Sequence, residues 1–487
     1  MEGRSEAREL PTESILGRLS SLNLQPGDVR VFTDLPADFN PLQPDGDEIE
    51  GPIKVTSYSF AHEVNPTITS GQSREASVNT VVNRRVHVPP KQLLKCSSCG
   101  GNESQKLYYC PCGEVRYCST ACQKSDWPLH KSACGPTTRI DIDKFYPFLA
   151  MLVELSRAHS AMPKHPATFK TVLNLPAPGT PPTVLPSGRR AVVVAVGGKP
   201  RDVPSPDPSW WPSAPNDYVR NKLWLRIIRE GHLLPILSAL CFALVSEIYT
   251  TTSQGKRGTP RLRLRYLSHP LADFGICRGT AKVTPQDTLA YVDVSSSPER
   301  VWFGQDPTEH YWLYFTAANG EEVYLDCGLF AFNMTLSVQA GAYADGLPMN
   351  HFPAWFRERL FHKETQELRA EVKRRSALRS AALADALASG HDVDVGVFSK
   401  FMKAVAGRDV GKEESELAKT LWLWQAGQVR DMVRSDAWKL WPTEVPLVTV
   451  ADQGELDDFD DPNTDWAIKL REWKDAHKGI GKNRRRR

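Results

Sequence analysis

The feature that most limits how this chain can fold is a cluster of seven cysteines and one histidine between residues 96 and 134. Its order is Cys96-x2-Cys99-x10-Cys110-x-Cys112-x5-Cys118-x3-Cys122-x7-His130-x3-Cys134. Zn²⁺ prefers four sulfur or nitrogen ligands in a tetrahedron, and a closed site stabilises a fold directly, whereas a catalytic zinc keeps one position open for water. Eight such ligands complete two closed sites. The cluster therefore predicts two structural Zn²⁺ ions and no catalytic one.

Short secondary-structure elements are predicted around these ligands. Residues 107–109 and 115–117 have the pattern of two short strands joined by a turn. The ligands at 118 and 122 are four residues apart, as are those at 130 and 134, so each pair is expected on one face of its own short helix. Pro128 suits the start of the second helix, where a missing backbone N–H has no consequence.

The cysteine-rich segment resembles the MYND-type zinc finger, on residues 116–134 (RYCSTACQKSDWPLHKSAC) together with Cys96-x2-Cys99. The resemblance is specific, although it covers only a small part of the chain. It implies a cross-braced pair of zinc sites, one formed by Cys96, Cys99, Cys118 and Cys122 and the other by Cys110, Cys112, His130 and Cys134.

One part of the motif departs from the family pattern. The third and fourth ligands of the family usually have two residues between them, whereas only Pro111 separates Cys110 from Cys112, and Tyr109 stands at the usual cysteine position. We expect Cys110 to reach the ion from a shifted register. The alternative is a second site completed by water, which would be less stable.

The charge of the finger bears on what it binds. With seven thiolates and two Zn²⁺, the charged side chains of residues 91–135 leave the metallated finger about neutral, and the whole chain has a formal net charge of only +3. A DNA-binding module needs a basic surface. Nucleic acid is therefore not expected as a direct ligand, and proteins are the expected partners.

The family resemblance also implies a partner-binding surface. MYND fingers dock short proline-containing peptides, partly by strand addition beside the second strand and partly through a Gln and a Trp near the sixth ligand. Carried onto this chain, those positions are Gln123 and Trp127, with Arg116 and Tyr117 in the edge strand. The alternative is that Trp127 packs inward and supports a finger that has little other core.

A chain of 487 residues exceeds what one hydrophobic core usually supports, so more than one module is predicted. Residues 1–90 are rich in Pro, Gly, Ser and acidic side chains and predict a largely disordered N-terminal arm. The zinc finger occupies residues 91–135, a companion domain of unknown function residues 136–450, and a charged tail residues 451–487. The predicted fold class is α+β, a small cross-braced two-zinc finger followed by a larger domain of mixed helices and strands.

The remaining cysteines and the apolar segments indicate the compartment. Outside the cluster the cysteines are odd in number and widely spaced, and no secretory apolar segment follows Met1, so a reducing intracellular environment is expected. The longest apolar run, residues 233–245, is too short to span a bilayer. The basic end, residues 484–487, is either a nuclear import signal or a solvated terminus, so nucleus and cytoplasm both stay open. Oligomeric state is not indicated.

The companion domain shows strand patterns before helical ones, which is typical of an α+β fold. The most strongly predicted element is a hairpin around Asn319-Gly320, because that pair supplies the positive φ angles that hairpin turns need. The other predicted elements are a helix at 146–156, a buried strand at 191–196, a helix at 222–249 interrupted at Pro235, a strand at 261–267, a second hairpin strand at 322–332, and helices at 364–388 and 413–440.

An enzyme is the rival to a protein-interaction adaptor, because a MYND finger also occurs within SET-type protein lysine methyltransferases. Those enzymes share an Asn-His-x-Cys segment that precedes a Gly-Glu-Glu segment. Here Gly320-Glu321-Glu322 comes before Asn350-His351, and Pro353 stands where the cysteine would be. The order is reversed and the parts are incomplete, so we expect an adaptor, with transcriptional regulation as one setting, rather than a methyltransferase.

Other titratable residues have simpler explanations than catalysis. Cys327 with His310 has the residue types of a nucleophile and its base, but a cysteine on an apolar strand is more often a small buried residue. His159 and His165 share no helical face and are expected to cap loops. The tryptophans of residues 421–441 have near-helical spacing and are expected in the core.

The region from 140 to 450 also resembles the companion domain of uncharacterised fungal MYND-finger proteins. The residues that carry this resemblance are Arg157-x-His159, His165-Pro166-Ala167, Leu173-Asn174, Pro176 to Pro182 and Tyr324-Leu325-Asp326-Cys327. No activity is implied by it.

Overall fold

A computed structural model describes most of the finger and companion domain, namely residues 29–32, 86–89, 95–101, 107–110, 112, 115–131, 134, 137–176, 181–185, 188–250, 261–297, 299–334, 336–344, 351–358, 369–388 and 393–450. The charged tail and most of the predicted N-terminal arm lie outside the described residues. Within the arm, residues 29–32 form a strand that pairs with residues 447–450, and Val86 forms a bridge with Thr250, so these two parts pair with the companion domain.

The helices of the described ranges follow in chain order. They are α1 (Thr120–His130), α2 (Ile142–Ala158), α3 (Asp217–Ile228), α4 (Leu233–Ile248), α5 (Ala381–Ala388), α6 (Val395–Ala406) and α7 (Lys412–Ser435).

The strands are numbered in the same way. They are β1 (Val29–Phe32), β2 (Tyr108–Tyr109), β3 (Arg116–Tyr117), β4 (Thr137–Asp141), β5 (Thr171–Val172), β6 (Thr183–Val184), β7 (Arg190–Gly197), β8 (Arg261–Tyr266), β9 (His269–Ala281), β10 (Leu289–Asp293), β11 (Arg300–Phe303), β12 (His310–Ala317), β13 (Glu322–Asp326), β14 (Leu336–Gln339), β15 (His351–Pro353), β16 (Trp355–Glu358), β17 (Arg369–Ser376) and β18 (Leu447–Val450). Mixed helices and sheets after a small cysteine-rich finger confirm the predicted α+β class.

The main core of the companion domain is built around α4. This helix is apolar on all sides, and every one of its residues except Glu247 is buried, which is typical of a helix surrounded by other elements. It contacts α2, α6 and α7 and the strands β9 and β12 of a seven-stranded sheet. That sheet has the order β16-β13-β12-β9-β8-β4, and β17 also pairs with β9. Because β4 directly follows the finger, this sheet connects the core to the finger.

The predicted helix at 222–249 is two helices. The chain breaks between α3 and α4, where Gly231 and His232 take left-handed φ angles of 71° and 54°, and the two helices meet at a bend of 69°. Pro235 is not the interruption, because it lies in the first turn of α4, where a proline is tolerated. In the described residues no single helix is long and apolar enough to cross a membrane. Only this bent pair, taken together, has the length and apolar composition of a membrane span.

The hairpin around Asn319-Gly320 is confirmed. Strands β12 and β13 pair in antiparallel register, and Gly320 has a φ of 87°. The second strand is shorter than the predicted 322–332, because the chain leaves the sheet after Asp326 and forms a 3-10 turn at Leu329–Phe332. The strand prediction at 261–267 is also confirmed, with Leu262, Leu264 and Tyr266 all buried.

The predicted helix at 364–388 is wrong over its described first half. Residues 369–376 form β17, which pairs with β9, and only residues 381–388 are helical. Sheet pairing outweighs helix propensity here, because β9 carries Gly275 and Gly279 opposite β17. A Cβ at either glycine would meet the β17 backbone at 2.0 Å. The last predicted helix is confirmed as α7, which ends at Ser435 rather than at 440.

A second, smaller core lies under a five-stranded sheet. The predicted strand at 191–196 is confirmed as β7, which lies between the parallel strand β10 and the short strands β5 and β6. One face of β7 packs on fully buried Trp210 and Trp211. The other face carries Val193 and Ala195, which are only half-buried in the described residues.

A buried charged group ties three strands of the large sheet together. Asp326 accepts hydrogen bonds from His310 Nε2 and Arg369 Nη1, each at 2.7 Å, and all three side chains have relative exposures of 1% or less. Burial alone would raise the pKa of Asp326, but His310 and Arg369 hold that pKa at about 2. The imidazole is therefore paired with Asp326 rather than with Cys327, which is buried and has a pKa well above its ordinary value because of that burial.

We predict that Asp326→Ala lowers the free energy of unfolding by about 3–5 kcal/mol, because it leaves the Arg369 guanidinium buried without its counter-charge. Urea denaturation at pH 7 measures the change. Lys403→Ala is the control, since Lys403 forms a solvent-exposed pair with Asp409 and such pairs contribute about 1 kcal/mol or less.

The pH dependence of this difference has a defined sign. A depressed pKa stabilises the fold above the ordinary aspartate pKa of about 4, and that contribution is lost as the pH falls through about 2. The difference in the free energy of unfolding between the wild type and Asp326→Ala should thus become smaller as the pH falls from 4 to 2. A difference that stays constant over that range would contradict the assignment.

Candidate metal centre

The first ligand group contains the four cysteines at 96, 99, 118 and 122. Their sulfur atoms all lie within 4.8 Å of one another. Cys118 Sγ is 3.6 Å from Cys99 Sγ and 3.5 Å from Cys122 Sγ. Four sulfur atoms converging on one point are the ligand set of a closed structural zinc site, as predicted.

The second group joins Cys110, Cys112, His130 and Cys134, again with all ligand atoms within 4.8 Å. Cys112 Sγ lies 3.3 Å from His130 Nε2, and Cys110 Sγ lies 3.6 Å from Cys134 Sγ. Cys110 therefore belongs to the group despite its shortened spacing, and a water is not needed as the fourth ligand. The two groups fit two structural Zn²⁺ ions, with seven sulfur atoms and one imidazole nitrogen as donors.

A single helix connects the two sites. Helix α1 carries Cys122 in its first turn and His130 at its last residue, so its two ends serve different ions. Ser119 caps its start by accepting a hydrogen bond from the backbone N–H of Cys122 at 3.2 Å. The prediction of two short helices is wrong, and Pro128 lies inside α1. Ligation at both ends holds the helix together across the proline.

The two-stranded ribbon positions the other ligands. Strands β2 and β3 pair Tyr108 with Tyr117 and Tyr109 with Arg116. Beyond the ribbon, the backbone N–H of Cys110 donates to the Val115 carbonyl at 3.0 Å. Ligands of both sites thus extend from one ribbon, which is the cross-braced arrangement that the family resemblance implied.

The protonation of the thiols shows how the metal and the fold are coupled. Burial opposes ionisation of Cys96, but backbone hydrogen bonds from Cys99, Cys118 and Ser98 lower its pKa to about 6. Hydrogen bonds with Cys122 and Cys99 raise the pKa of Cys118 to about 12. Zn²⁺ binds thiolates, so it must displace protons from the more basic thiols as it binds.

The predicted partner-binding residues lie in different environments. Trp127 is 44% exposed on α1, and its ring meets the His130 ring edge-on at a centroid distance of 6.1 Å. Gln123 is half-buried. Tyr117 is buried, and its hydroxyl donates to Asp126 at 2.6 Å, so its side chain supports the finger. The Arg116 guanidinium lies 4.5 Å over the ring of Tyr109.

Two further exposed apolar side chains were not predicted from the sequence. Tyr108 is 56% exposed and Leu129 is 81% exposed. The signal was present for Leu129, because it lies within Trp127-Pro128-Leu129, an apolar stretch in a helix whose only buried residue is His130. Leu129 is two residues from Trp127 on the helix, so the two side chains point to different sides and do not form one patch.

The described residues of the methyltransferase comparison lie on different elements. Gly320 is at the tip of the β12–β13 hairpin, Glu322 is in β13, and His351 is in β15 of another sheet. The prediction that His159 and His165 cap loops is confirmed, because their Nδ1 atoms accept backbone hydrogen bonds from Ala161 and Ala167. Of the four tryptophans predicted in the core, Trp422 and Trp441 are buried there, while Trp424 and Trp438 are half-buried against it.

Comparison with known protein families agrees with this geometry. Residues 96–134 match the family model of the MYND finger, from the first ligand of the cluster to the last. No curated protein and no solved structure shows significant similarity to the chain.

We predict that Cys110→Ser reduces the zinc content of the purified protein from two ions per chain towards one, because a serine hydroxyl is a poor zinc ligand. Metal analysis by mass spectrometry measures the stoichiometry. The matched control is Cys241→Ala, which changes a buried cysteine of α4 far from both ligand groups and should retain two ions. Full zinc content in Cys110→Ser would favour the water-completed site instead.

We also predict that zinc retention weakens as the pH falls from 7.5 to 5.5. Protons compete with Zn²⁺ for the Cys118 sulfur, because the pKa of this thiol is raised to about 12. For each proton that zinc binding releases, the apparent zinc affinity falls about tenfold for every pH unit of acidification. Competition with a chromophoric chelator at several pH values measures this slope. A flat profile would show that the ligands are already deprotonated before zinc binds.

Proposed function

We propose that this protein is a zinc-dependent adaptor whose MYND finger docks proline-containing segments of partner proteins, with transcriptional regulation in the nucleus as its setting. Zinc binding and the general role of MYND fingers as protein-interaction modules support the adaptor function. The peptide class is what the resemblance to MYND fingers implies, and the exposed indole of Trp127 is consistent with it. The nuclear setting rests on the basic end of the chain, residues 484–487.

The observation that carries the peptide proposal is the exposed indole of Trp127 on α1. Its side chain is 44% exposed, on a finger whose own core is small. An exposed indole offers a flat apolar face to a proline ring at little cost in side-chain entropy. Because Trp127 also touches His130, a bound peptide would lie next to the second zinc site.

The ribbon edge contributes less than the helix to this docking. The Arg116 carbonyl of β3 already accepts a hydrogen bond from the Ser97 N–H at 2.8 Å. A peptide strand added at that position would have to compete with the loop between Cys96 and Cys99. The proposed affinity therefore depends on the side chains of α1 more than on backbone pairing.

We predict that Trp127→Ala weakens binding of proline-containing peptides by about 30-fold or more, the effect of losing a central aromatic contact. An array of such peptides, each with a copy in which alanine replaces every proline, identifies ligands, and fluorescence polarisation with the full chain measures affinity. The matched control is Leu423→Ala, an exposed apolar residue of α7 outside the finger.

Two outcomes separate the parts of the proposal. Binding that survives Trp127→Ala but is lost with Cys122→Ser would mean that the folded finger is needed while the aromatic face is not. Equal binding of the proline and alanine copies would mean that the finger does not select proline. The expected result is loss with Trp127→Ala, loss with Cys122→Ser and no change with Leu423→Ala.

A further inference from the structure

We infer that the companion domain holds the second zinc site in place through Tyr109 and Arg139, so that zinc binding at that site and docking of the finger are one coupled equilibrium. The second site is the group formed by Cys110, Cys112, His130 and Cys134. This inference concerns how the finger is held and does not depend on the proposed peptide ligand.

Tyr109 is the first contact. It directly precedes Cys110, and because side chains alternate along a strand, it points to the opposite side of β2 from the exposed Tyr108. Its ring packs against Ala272 and Ala318 of the companion domain, which are buried at 1% and 2% exposure. The ring also meets His269 edge-on at a centroid distance of 6.2 Å.

Arg116 covers Tyr109 from the finger side. Its guanidinium lies 4.5 Å over the ring, and its Nη2 donates to the Leu107 carbonyl. The tyrosine is thereby held between an arginine of the finger and two alanines of the companion domain. Small residues at positions 272 and 318 leave the room that the ring occupies, which is how a docked aromatic side chain gains close packing.

Arg139 is the second contact. It lies in β4, which pairs in parallel with β8 in the seven-stranded sheet, and its Nη2 donates a hydrogen bond to the backbone carbonyl of Cys112. The segment from Cys110 to Cys112 is therefore bound by the companion domain on both sides, by Tyr109 before it and by Arg139 at its end. This explains how a pair of ligands separated by one residue keeps a defined geometry.

Electrostatics favour the same arrangement. Three thiolates, a neutral imidazole and one Zn²⁺ carry about one net negative charge. Arg139 lies against the backbone carbonyl of Cys112 and places a positive charge beside this site. Groups that hydrogen bond to ligand residues from outside the coordination sphere orient those ligands, and their loss commonly costs 10–100-fold in metal affinity. Here the companion domain supplies those groups.

The coupling predicts that loss of zinc weakens the docking contact and that loss of the docking contact weakens zinc binding. When zinc leaves the second site, Cys110 is no longer fixed and Tyr109 loses its set position against Ala318. When the Tyr109 contact is removed, the ligand segment becomes free to move and zinc leaves faster. The first site, whose cysteines bond to one another and to Gly100 and Gly101 of the finger, should be much less affected.

The test compares neighbouring residues of the same type in the full chain. Tyr109→Ala is matched with Tyr108→Ala, since the two tyrosines are adjacent in β2 and point to opposite sides. Arg139→Ala is matched with Arg265→Ala, since Arg265 lies in β8 and pairs with Asp141 instead of with the finger. We expect release of one of the two zinc ions to a chelator to accelerate about tenfold or more in Tyr109→Ala and Arg139→Ala, and to stay unchanged in both controls.

Hydrogen exchange assigns the ion that is lost. The amide of Cys110, which donates to Val115, and the amide of Cys134, which donates to His130, report on the second site. The amide of Gly100, which donates to Cys96, reports on the first. Faster exchange at Cys110 and Cys134 with unchanged exchange at Gly100 is the expected pattern. Unchanged zinc release, or equal acceleration at both sites, would overturn the inference.

A variant on the companion side keeps the test independent of finger folding. His269→Ala removes a ring that touches Tyr109 but changes no residue of the finger. It should accelerate release of the same zinc ion, while exchange of the amides of α4 shows that the companion core is intact. If all three single variants, His269→Ala, Tyr109→Ala and Arg139→Ala, release zinc at the wild-type rate, the finger is autonomous and the coupling is refuted.

Discussion

Zinc ligation at the two ends of α1 is the constraint on which the finger depends. The helix gives Cys122 to one ion and His130 to the other, and the ribbon of β2 and β3 leads into ligands of both. A segment this small buries few apolar side chains, with Tyr117 as its largest buried residue. Metal ligands must replace the missing core, as expected for domains of this size. The exposed position of Trp127 and Leu129 follows, because ligation rather than their burial holds the helix.

The companion domain has the opposite balance of forces. Its stability comes from burial of α4 between a large sheet and three helices, and from a few charged groups that are fully enclosed with their partners, such as Asp326 with Arg369. Such a domain can present a rigid edge. Strand β4, at the edge of the seven-stranded sheet, directly follows the finger in the chain. Tyr109 of the finger and Arg139 of β4 make the contacts between the finger and the companion domain at this edge. A finger fixed in this way offers its partners a surface of constant orientation, which limits the entropy lost on binding.

Local chemistry made several elements predictable. The hairpin at Asn319-Gly320 required positive φ, the apolar run of β7 required burial, and the spacing of cysteines required two zinc sites. Non-local pairing made others unpredictable. Residues 369–376 have a helical pattern, yet β9 with Gly275 and Gly279 provides an edge that accepts them as β17. The break between α3 and α4 depends on left-handed residues at 231 and 232. Gly231 is a residue type that often ends helices, but the apolar pattern on both sides of it favoured one continuous helix.

The sequence by itself determined the zinc ligands, because the number and kind of donor atoms decide which metal a chain can bind and how many sites it can close. The near-neutral charge of the finger also led us to expect protein partners, which the match to the MYND finger family supports. Only the tertiary structure decided that Cys110 reaches the second site, that Tyr117 faces inward while Trp127 faces out, and that Tyr109 contacts the companion domain. The first two outcomes depend on contacts inside the finger, such as Cys110 with Cys134 and Tyr117 with Asp126. The third depends on surfaces that meet across more than 100 residues of chain, from Tyr109 to Ala318, and no local pattern carries that information.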